Sequence, residues 1–457
     1  MRLYKHHLKT EKLMKYKLIL FATTLVTQVH ANDNQIQGVN YLTVGADNAC
    51  DYSLIQNAVD NSIGKSIRVA SNKVYNENVV INNRHASIKG GFANCTDAGN
   101  NITDLSRPII DGGGTGAVIT VSNTDLELNV TLNNLYLGNG DAGILTTADS
   151  IMSLSNVAIL NNNSTGFFAI GGSQEITMTD VIVNSNQGSG ILCSGADISL
   201  TIEGESVISD NTSINTAGGV GVSNSCFLSM KAPTVVKSNE ANSNGGGISV
   251  SSGASVELLG VEISQNKANA DNDQEGDGGG LYAQGLNTTV YAINARFLNN
   301  QGYVGGAVMV ENGANFSALN YEDTEVAPCK KPGKCSQFVG NNANRKGGAV
   351  AVVAANAFIG NSWIAHNNAN FYPAVMAEKN GKVEIEGSYI VRNGDGENDV
   401  RLMGVLNIIN EFPDTEMKLR NVTIANNNTP GGAISNSRGK MTVLSSIVIH
   451  DEVYSEY

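Results

Sequence analysis

One short pattern constrains this chain more than any bulk property: an apolar residue followed, three positions on, by asparagine. It places Asn139, Asn162, Asn186, Asn211, Asn239, Asn266, Asn300, Asn341, Asn367, Asn393 and Asn427, and Val448-Ile449-His450-Asp451 reads as a twelfth instance carrying Asp. Successive instances lie 23 to 41 residues apart, too irregular by itself to define a repeat. A second marker restores order. Each Asn is followed by a glycine-centred start, at Gly143, Gly166, Gly190, Gly219, Gly247, Gly280, Gly306, Gly348, Gly404 and Gly432, with Ala374 standing in once. From that marker to the next pattern residue, nine of eleven intervals are 19 to 21 residues, so the length variation sits mainly between Asn and Gly. A constant body with insertions leaving chiefly at one corner is what a stacked solenoid requires, because each repeat must bury its inner face against its neighbours.

A single repeat shows the geometry. Gly247-Ile248-Ser249-Val250, Ser255-Val256-Glu257-Leu258 and Val261-Glu262-Ile263 each alternate apolar and polar residues before Asn266, so each is a strand with one face inward. Three strands with bends between them close one triangular turn, and repeated parallel crossovers take the right hand. The chain is therefore expected to be all-β: a right-handed parallel β-helix solenoid of about 12 coils stacked at about 4.8 Å. The recurrent Asn residues are assigned a structural role. Stacked amides can donate and accept along the axis as a ladder, and Asn tolerates the left-handed backbone of a tight corner. With 50 Gly, 7 Pro and no long amphipathic helix after residue 65, short strands and tight turns are the material available.

The domain reading places a signal peptide at 1–31, an N-terminal cap with the first strands at 32–110, and the coils at 111–457. In the first segment Lys9, Lys12, Lys15 and Lys17 precede an apolar run from Leu18 to Val26, too short to span a bilayer. Val29-His30-Ala31 then offers a small-residue cleavage site. In the cap, residues 52–60 read as one short amphipathic helix with Leu54, Ile55, Ala58 and Val59 on one side. Strands follow at 67–70, 79–81 and 87–89. Such a cap shields the first coil's core and its pairing-competent edge. After Val448 no cap is evident in the sequence.

The net charge of −13 becomes more negative without residues 1–31, which hold six Lys and Arg but one Glu. No basic stripe is present, which excludes nucleic acid as a partner. Only His85, His366 and His450 remain, scattered, leaving almost nothing for a histidine zinc site or catalytic triad. Six cysteines in an exported chain suggest disulfides. Proximity along the chain suggests Cys50–Cys95, Cys193–Cys226 and Cys329–Cys335, one of 15 connectivities that six cysteines allow.

Asp51-Tyr52-Ser53-Leu54-Ile55-Gln56-Asn57-Ala58-Val59 and Val74-Tyr75-Asn76-Glu77-Asn78-Val79-Val80-Ile81 resemble the start of pectin-lyase-like β-helix proteins, a fold shared by lyases, esterases and adhesins. Gly305-Gly306-Ala307-Val308, Gly347-Gly348-Ala349-Val350 and Gly431-Gly432-Ala433-Ile434 resemble the GGA[ILV] repeat of polymorphic membrane proteins. Phe297-Leu298-Asn299-Asn300 and Phe338-Val339-Gly340-Asn341 resemble their FxxN repeat. That resemblance implies an adhesin-like passenger displayed at the cell outer membrane. The chain departs from the family in having no membrane-barrel pattern after the coils.

Chemistry is sparse. A polygalacturonase-like reading would need an Asn-Thr-Asp, an Asp-Asp pair and a Gly-His-Gly together, and the last two do not occur. The Tyr75…Glu77 stretch resembles the first pectinesterase motif without its partners and reads as cap. Glu378, Lys379, Lys382, Glu384, Glu386 and Arg392 read as a solvated face. No catalytic residue is assigned. Two acidic corner loops are candidate calcium sites: Asp271, Asp273, Glu275 and Asp277 in one, Asn393, Asp395, Glu397 and Asp399 in the other. Calcium takes six to eight oxygens, and glycine permits the turn around it. Position twelve of the first loop is Tyr282, which excludes an EF-hand. Residues 281–390 hold twelve of the 26 aromatic residues, and Tyr303, Tyr321, Phe371 and Tyr372 lie near corners where rings can grip a partner. The expectation is a secreted or surface-displayed monomer with no transmembrane segment, binding an extracellular glycan or surface protein without catalysis. The alternative is a polysaccharide lyase or glycoside hydrolase.

Overall fold

A computed structural model describes residues 40–124, 126–268, 275–322, 325–326, 335–394, 405–409, 414–429, 432–437 and 439–449. The segment read as a signal peptide lies outside these residues. Among the described residues the strands wind into three long parallel sheets. Sheet 1, made by the strand after each glycine marker, has 13 strands from Val79–Asn82 to Ile434–Asn436. Sheet 2 has 15, from Tyr41–Val44 to Lys440–Leu444, and sheet 3 has 14, from Val74–Asn76 to Ile447–Val448. Each strand pairs in parallel with the equivalent strand one coil away, as Ser255–Leu259 does with Thr289–Ile293. At about 4.8 Å per strand, sheet 2 extends roughly 65–70 Å.

A fourth sheet departs from the three-sided section. Six short strands, from Thr212–Ser213 to Asn368–Phe371, each begin directly after a recurrent Asn. In these coils the chain between Asn and Gly stays extended long enough to pair with its counterpart in the next coil, so part of the corner insertion is ordered. The winding begins in the cap itself, whose strands Ser66–Ala70 and Ala86–Phe92 already belong to sheet 2.

The cap holds two helices where the sequence suggested one: α1 (Ile55–Asp60) and α2 (Cys95–Asn100). Asn94 caps α2, its Oδ1 accepting from Asp97 N at 2.9 Å, and Asn101 ends it in the left-handed region. Glu77 ties α1 to the solenoid, accepting from Ile55 N and Gln56 N at 2.8 and 2.9 Å. The pectinesterase-like stretch is therefore structural, and Tyr75, 1% exposed, donates its hydroxyl to Ala70 O at 2.6 Å.

The core is a set of stacks. In sheet 3 the central positions Val183, Ile208, Val236, Ile263, Phe297, Phe338, Ile364, Ile390 and Ile424 lie in register and are fully buried. Phe297 and Phe338 stack at 5.1 Å, and Phe316 meets both edge-on at 6.3 Å. Several aromatics of the crowded 281–390 region are thus core filling.

At the corner after sheet 3 the amides form a continuous ladder. Asn162, Asn186, Asn211, Asn239, Asn266, Asn300, Asn341, Asn367, Asn393 and Asn427 are joined by successive Nδ2–Oδ1 bonds of 2.8–3.0 Å. Asn139 is not a member. Leu137 is in register with Ile159, so the ladder position of that coil is Gly140, whose N–H donates to Asn162 Oδ1 at 3.0 Å. Asn139 is exposed and bonds to Asp111 instead. The ladder residues are not the left-handed ones either. That conformation belongs to the residue before each, such as Asn161, Asp210, Gln265, His366 and Arg392. A second left-handed row, including Asn134, Asn156, Asp180, Gly204 and Gly260, turns the chain from sheet 2 to sheet 3.

Disulfides join Cys50 to Cys95 in the cap and Cys193 to Cys226 between neighbouring coils. Cys335 is disulfide-bonded, and Cys329 lies outside the described residues. Among the described residues no helix is long and apolar enough to cross a membrane.

Candidate functional site

The outer face of sheet 1 should meet solvent if strands simply alternate. Between coils 281 and 407 it does not. Tyr282, Met309, Ala351, Met376 and Asn407 share one outward row, in register, and all are buried. The cover comes from sheet 4: Val304 and Phe371, with the adjoining Tyr372, pack onto that row. Tyr372, expected as an exposed corner ring, is only 7% exposed. The fold-back builds a shelf, and polar side chains gather along its edge.

The next outward row of sheet 1 reads Gln284, Glu311, Val353, Glu378 and Ile409. Glu311 accepts the Tyr282 hydroxyl, which also reaches Gln284 Oε1 at 2.7 Å. Burial and the Glu311 carboxylate both push the Tyr282 phenol well above its ordinary range, so it stays a donor. Two strands along, Glu378 pairs with Lys346 of sheet 4 at 3.1 Å, with side chains 22% and 18% exposed. Glu378 is therefore half-buried and engaged, not part of a solvated face. The Arg345 guanidinium lies 5.9 Å from the Tyr303 ring centre.

Asp277 closes the shelf. Its backbone N–H donates to Asn244 Oδ1 at 2.7 Å, and its Oδ1 accepts from Val304 N at 3.0 Å. Burial pushes its carboxyl up to about 6. The Val304 N–H opposes the rise, Glu311 adds to it, and Arg345 opposes it. Three acids, two cations and a tyrosine thus converge from different coils. The arrangement presents hydrogen-bond donors and acceptors with charges of both signs, and one carboxyl that titrates at about 6.

Of the expected calcium ligands, Asp271, Asp273, Asp395, Glu397 and Asp399 lie outside the described residues. Glu275 is exposed, whereas Asp277 belongs to the shelf just described. Asn393 is not a loop ligand: it is fully buried, and its Oδ1 accepts from Asn367 N and Nδ2 at 3.0 and 2.9 Å. In the cap, Asp47 approaches Cys50 and Cys95, but those sulfurs are joined to each other and offer no thiolate. One polygalacturonase-like tripeptide, Asn123-Thr124-Asp125, is present in the sequence. Asn123 serves its own corner through Asp149, accepting from its N and donating to its O, both at 3.1 Å.

Residues 94–268 match the protein family described as right handed beta helix region. The fold is a right-handed parallel β-helix. No curated protein sequence matches the chain. Similar solved structures include the A-module of the mannuronan C-5 epimerase AlgE6 from Azotobacter vinelandii, at 14% identity and TM-score 0.32, over 87% of this chain and 94% of that one. The catalytic domain of a GH87 alpha-1,3-glucanase in complex with tetrasaccharides aligns at 13% identity and TM-score 0.34, over 92% and 71%. An alginate lyase from Paenibacillus sp. str. FPU-7 aligns at 12% and 0.24, over 88% and 98%. Likeness at this level says nothing about what this chain binds.

Sequence reasoning missed the shelf because its members are scattered over about a hundred residues and occur singly. One signal was available. Val308-Met309-Val310-Glu311 and Val375-Met376-Ala377-Glu378 repeat the same outward Met and terminal Glu at the same coil position.

Proposed function

We propose that this is an exported, monomeric β-helix that binds an extracellular glycan, with the sheet 1 shelf as its contact surface. The observation that supports this reading is the convergence of Tyr282, Glu311, Lys346 and Glu378 on a half-buried ledge built from two sheets. Hydroxyl-rich ligands need donors and acceptors held in place, and these groups are held by one another. Two disulfides fit an oxidising compartment and support export. The adhesin-like repeats support display at a surface. The test is calorimetric titration of the mature chain with soluble polysaccharides. Glu311→Gln and Lys346→Ala should weaken binding, with no new reducing ends released. Unchanged affinity in both variants overturns the reading.

A second reading rests on Asp277. A carboxyl pushed up to about 6 by burial, with the Glu311 carboxyl among the groups that raise it, is the kind of pairing a hydrolase uses to protonate a leaving oxygen while a second carboxylate activates water. Reducing ends released by the native chain and abolished in Asp277→Asn would establish it in place of pure binding.

A further inference from the structure

The outer face of sheet 3 carries a second row, remote in kind from the shelf. The first positions of successive strands read Glu262, Arg296, Gln337, Trp363, Tyr389 and Thr423, each in register with the next. The core positions of these coils are already filled by Phe338, Ile364 and Ile390, so the outward rings are not needed to close the interior. Trp363 and Tyr389 nevertheless stand side by side on the outside. Their ring centres are 5.3 Å apart and tilted by 36°, with Tyr389 37% exposed and Trp363 partly exposed. Next to them, Gln337 is only 8% exposed, yet its Nε2 has no hydrogen-bond partner among the described residues. A buried donor without a partner is costly, and a ligand acceptor relieves it. Beyond Gln337, Arg296 pairs with Glu262 at 2.7 Å, and Ser264 Oγ donates to Glu262 Oε1 at 2.9 Å.

We propose that this row is a binding track for a neutral polysaccharide chain lying along the solenoid axis. The face of a pyranose ring presents C–H groups that pack on an aromatic ring, and its rim presents hydroxyls. Trp363 and Tyr389 supply two neighbouring platforms. Their strands are about 4.8 Å apart, close to the advance of one sugar unit. Gln337, whose Nε2 is buried in the free chain, turns outward on binding so that Nε2 donates to a ring-edge hydroxyl oxygen. The Arg296–Glu262 pair offers donors and acceptors while its charges cancel, so the row gives no preference to a charged chain. The track lies on a different sheet from the shelf and stands without it.

The chain contains one tryptophan, so its emission reports on this row alone. The mature chain is titrated with neutral hexasaccharides of glucose, xylose and mannose, and with an acidic uronate hexamer. The expected result is a saturable change in tryptophan emission with at least one neutral oligomer and a weaker response to the uronate. Tyr389→Ala should weaken that binding about tenfold, equivalent to about 1.4 kcal/mol. Trp363→Ala, followed by calorimetry, should abolish it while the circular dichroism spectrum is unchanged. Glu311→Gln on sheet 1 should leave the emission response intact, which separates this track from the shelf. The proposal is overturned if no neutral oligomer perturbs the emission, if the uronate binds more tightly, or if Trp363→Ala binds as the native chain does.

Discussion

Replacing Asn266 by leucine probes the ladder at its middle. Asn266 is fully buried. Its Oδ1 accepts from Asn239 N at 3.1 Å and Asn239 Nδ2 at 3.0 Å. Its Nδ2 donates to Asn300 Oδ1 and Val236 O, both at 3.0 Å. Leucine removes all four bonds. Asn300 Oδ1 keeps the backbone N–H of residue 266, and Asn239 Nδ2 keeps Ile208 O at 3.0 Å. The Asn239 backbone N–H is left without an acceptor, and Val236 O loses a donor. One buried orphan at about 1–3 kcal/mol, with about 1 kcal/mol for the other lost bonds, gives a destabilisation of about 2–4 kcal/mol. Leucine's branch adds crowding, since a Cβ on Gly247 would already lie 3.0 Å from Asn266 Cγ. The control is Lys237→Ala, an exposed outward change expected within about 0.5 kcal/mol of native. Urea unfolding followed by circular dichroism measures the effect. Limited proteolysis shows whether coils near 266 open first, since solenoid stability is roughly a sum over neighbouring repeats. If Asn266→Leu and Lys237→Ala unfold at the same urea concentration, the ladder contributes nothing and the reasoning fails.

Asp277→Asn should raise stability at neutral pH. The folded carboxyl titrates at about 6 against 3.8 unfolded, so the folded state holds the extra proton between those values. That contribution is present in full below about pH 4 and is lost as pH rises through about 6. The loss is at most about 3 kcal/mol, so a native chain whose melting temperature does not fall relative to Asp277→Asn across pH 4–7 refutes the buried carboxyl. Gly247→Ala places a Cβ 2.6 Å from Gly280 O, and a cost of about 1–3 kcal/mol is expected in the same urea assay. Replacing Cys193 and Cys226 together with Ala releases a cross-link spanning 33 residues. It should cost about 3–4 kcal/mol under oxidising conditions and nothing in a fully reduced chain. If the loop around Asp271 and Asp273 takes calcium, millimolar calcium should raise the melting temperature more than magnesium, and Asp273→Ala should erase the difference. Equal shifts with both ions dismiss the site.

The sequence alone determined the solenoid, because its signal is local and repeated. Alternating strands, an amide every coil and glycine at a constant distance from it can be satisfied together only by parallel coils in register. It also paired the cysteines of the cap and of neighbouring coils correctly, since stacked coils bring near-sequence positions together. Register at single-residue precision was decided by packing. Asn139 fits the pattern, yet Leu137 rather than Tyr136 stacks on Ile159, which moves Asn139 off the ladder. The fold-back of sheet 4 over sheet 1 was invisible as well, because alternation says which face a residue takes but not what covers that face. Glu311 and Glu378 are 67 residues apart in the chain and two strands apart in space. Only cross-coil stacking, together with Lys346 and Val304 arriving from the corner, makes a site of residues that appear singly in the sequence.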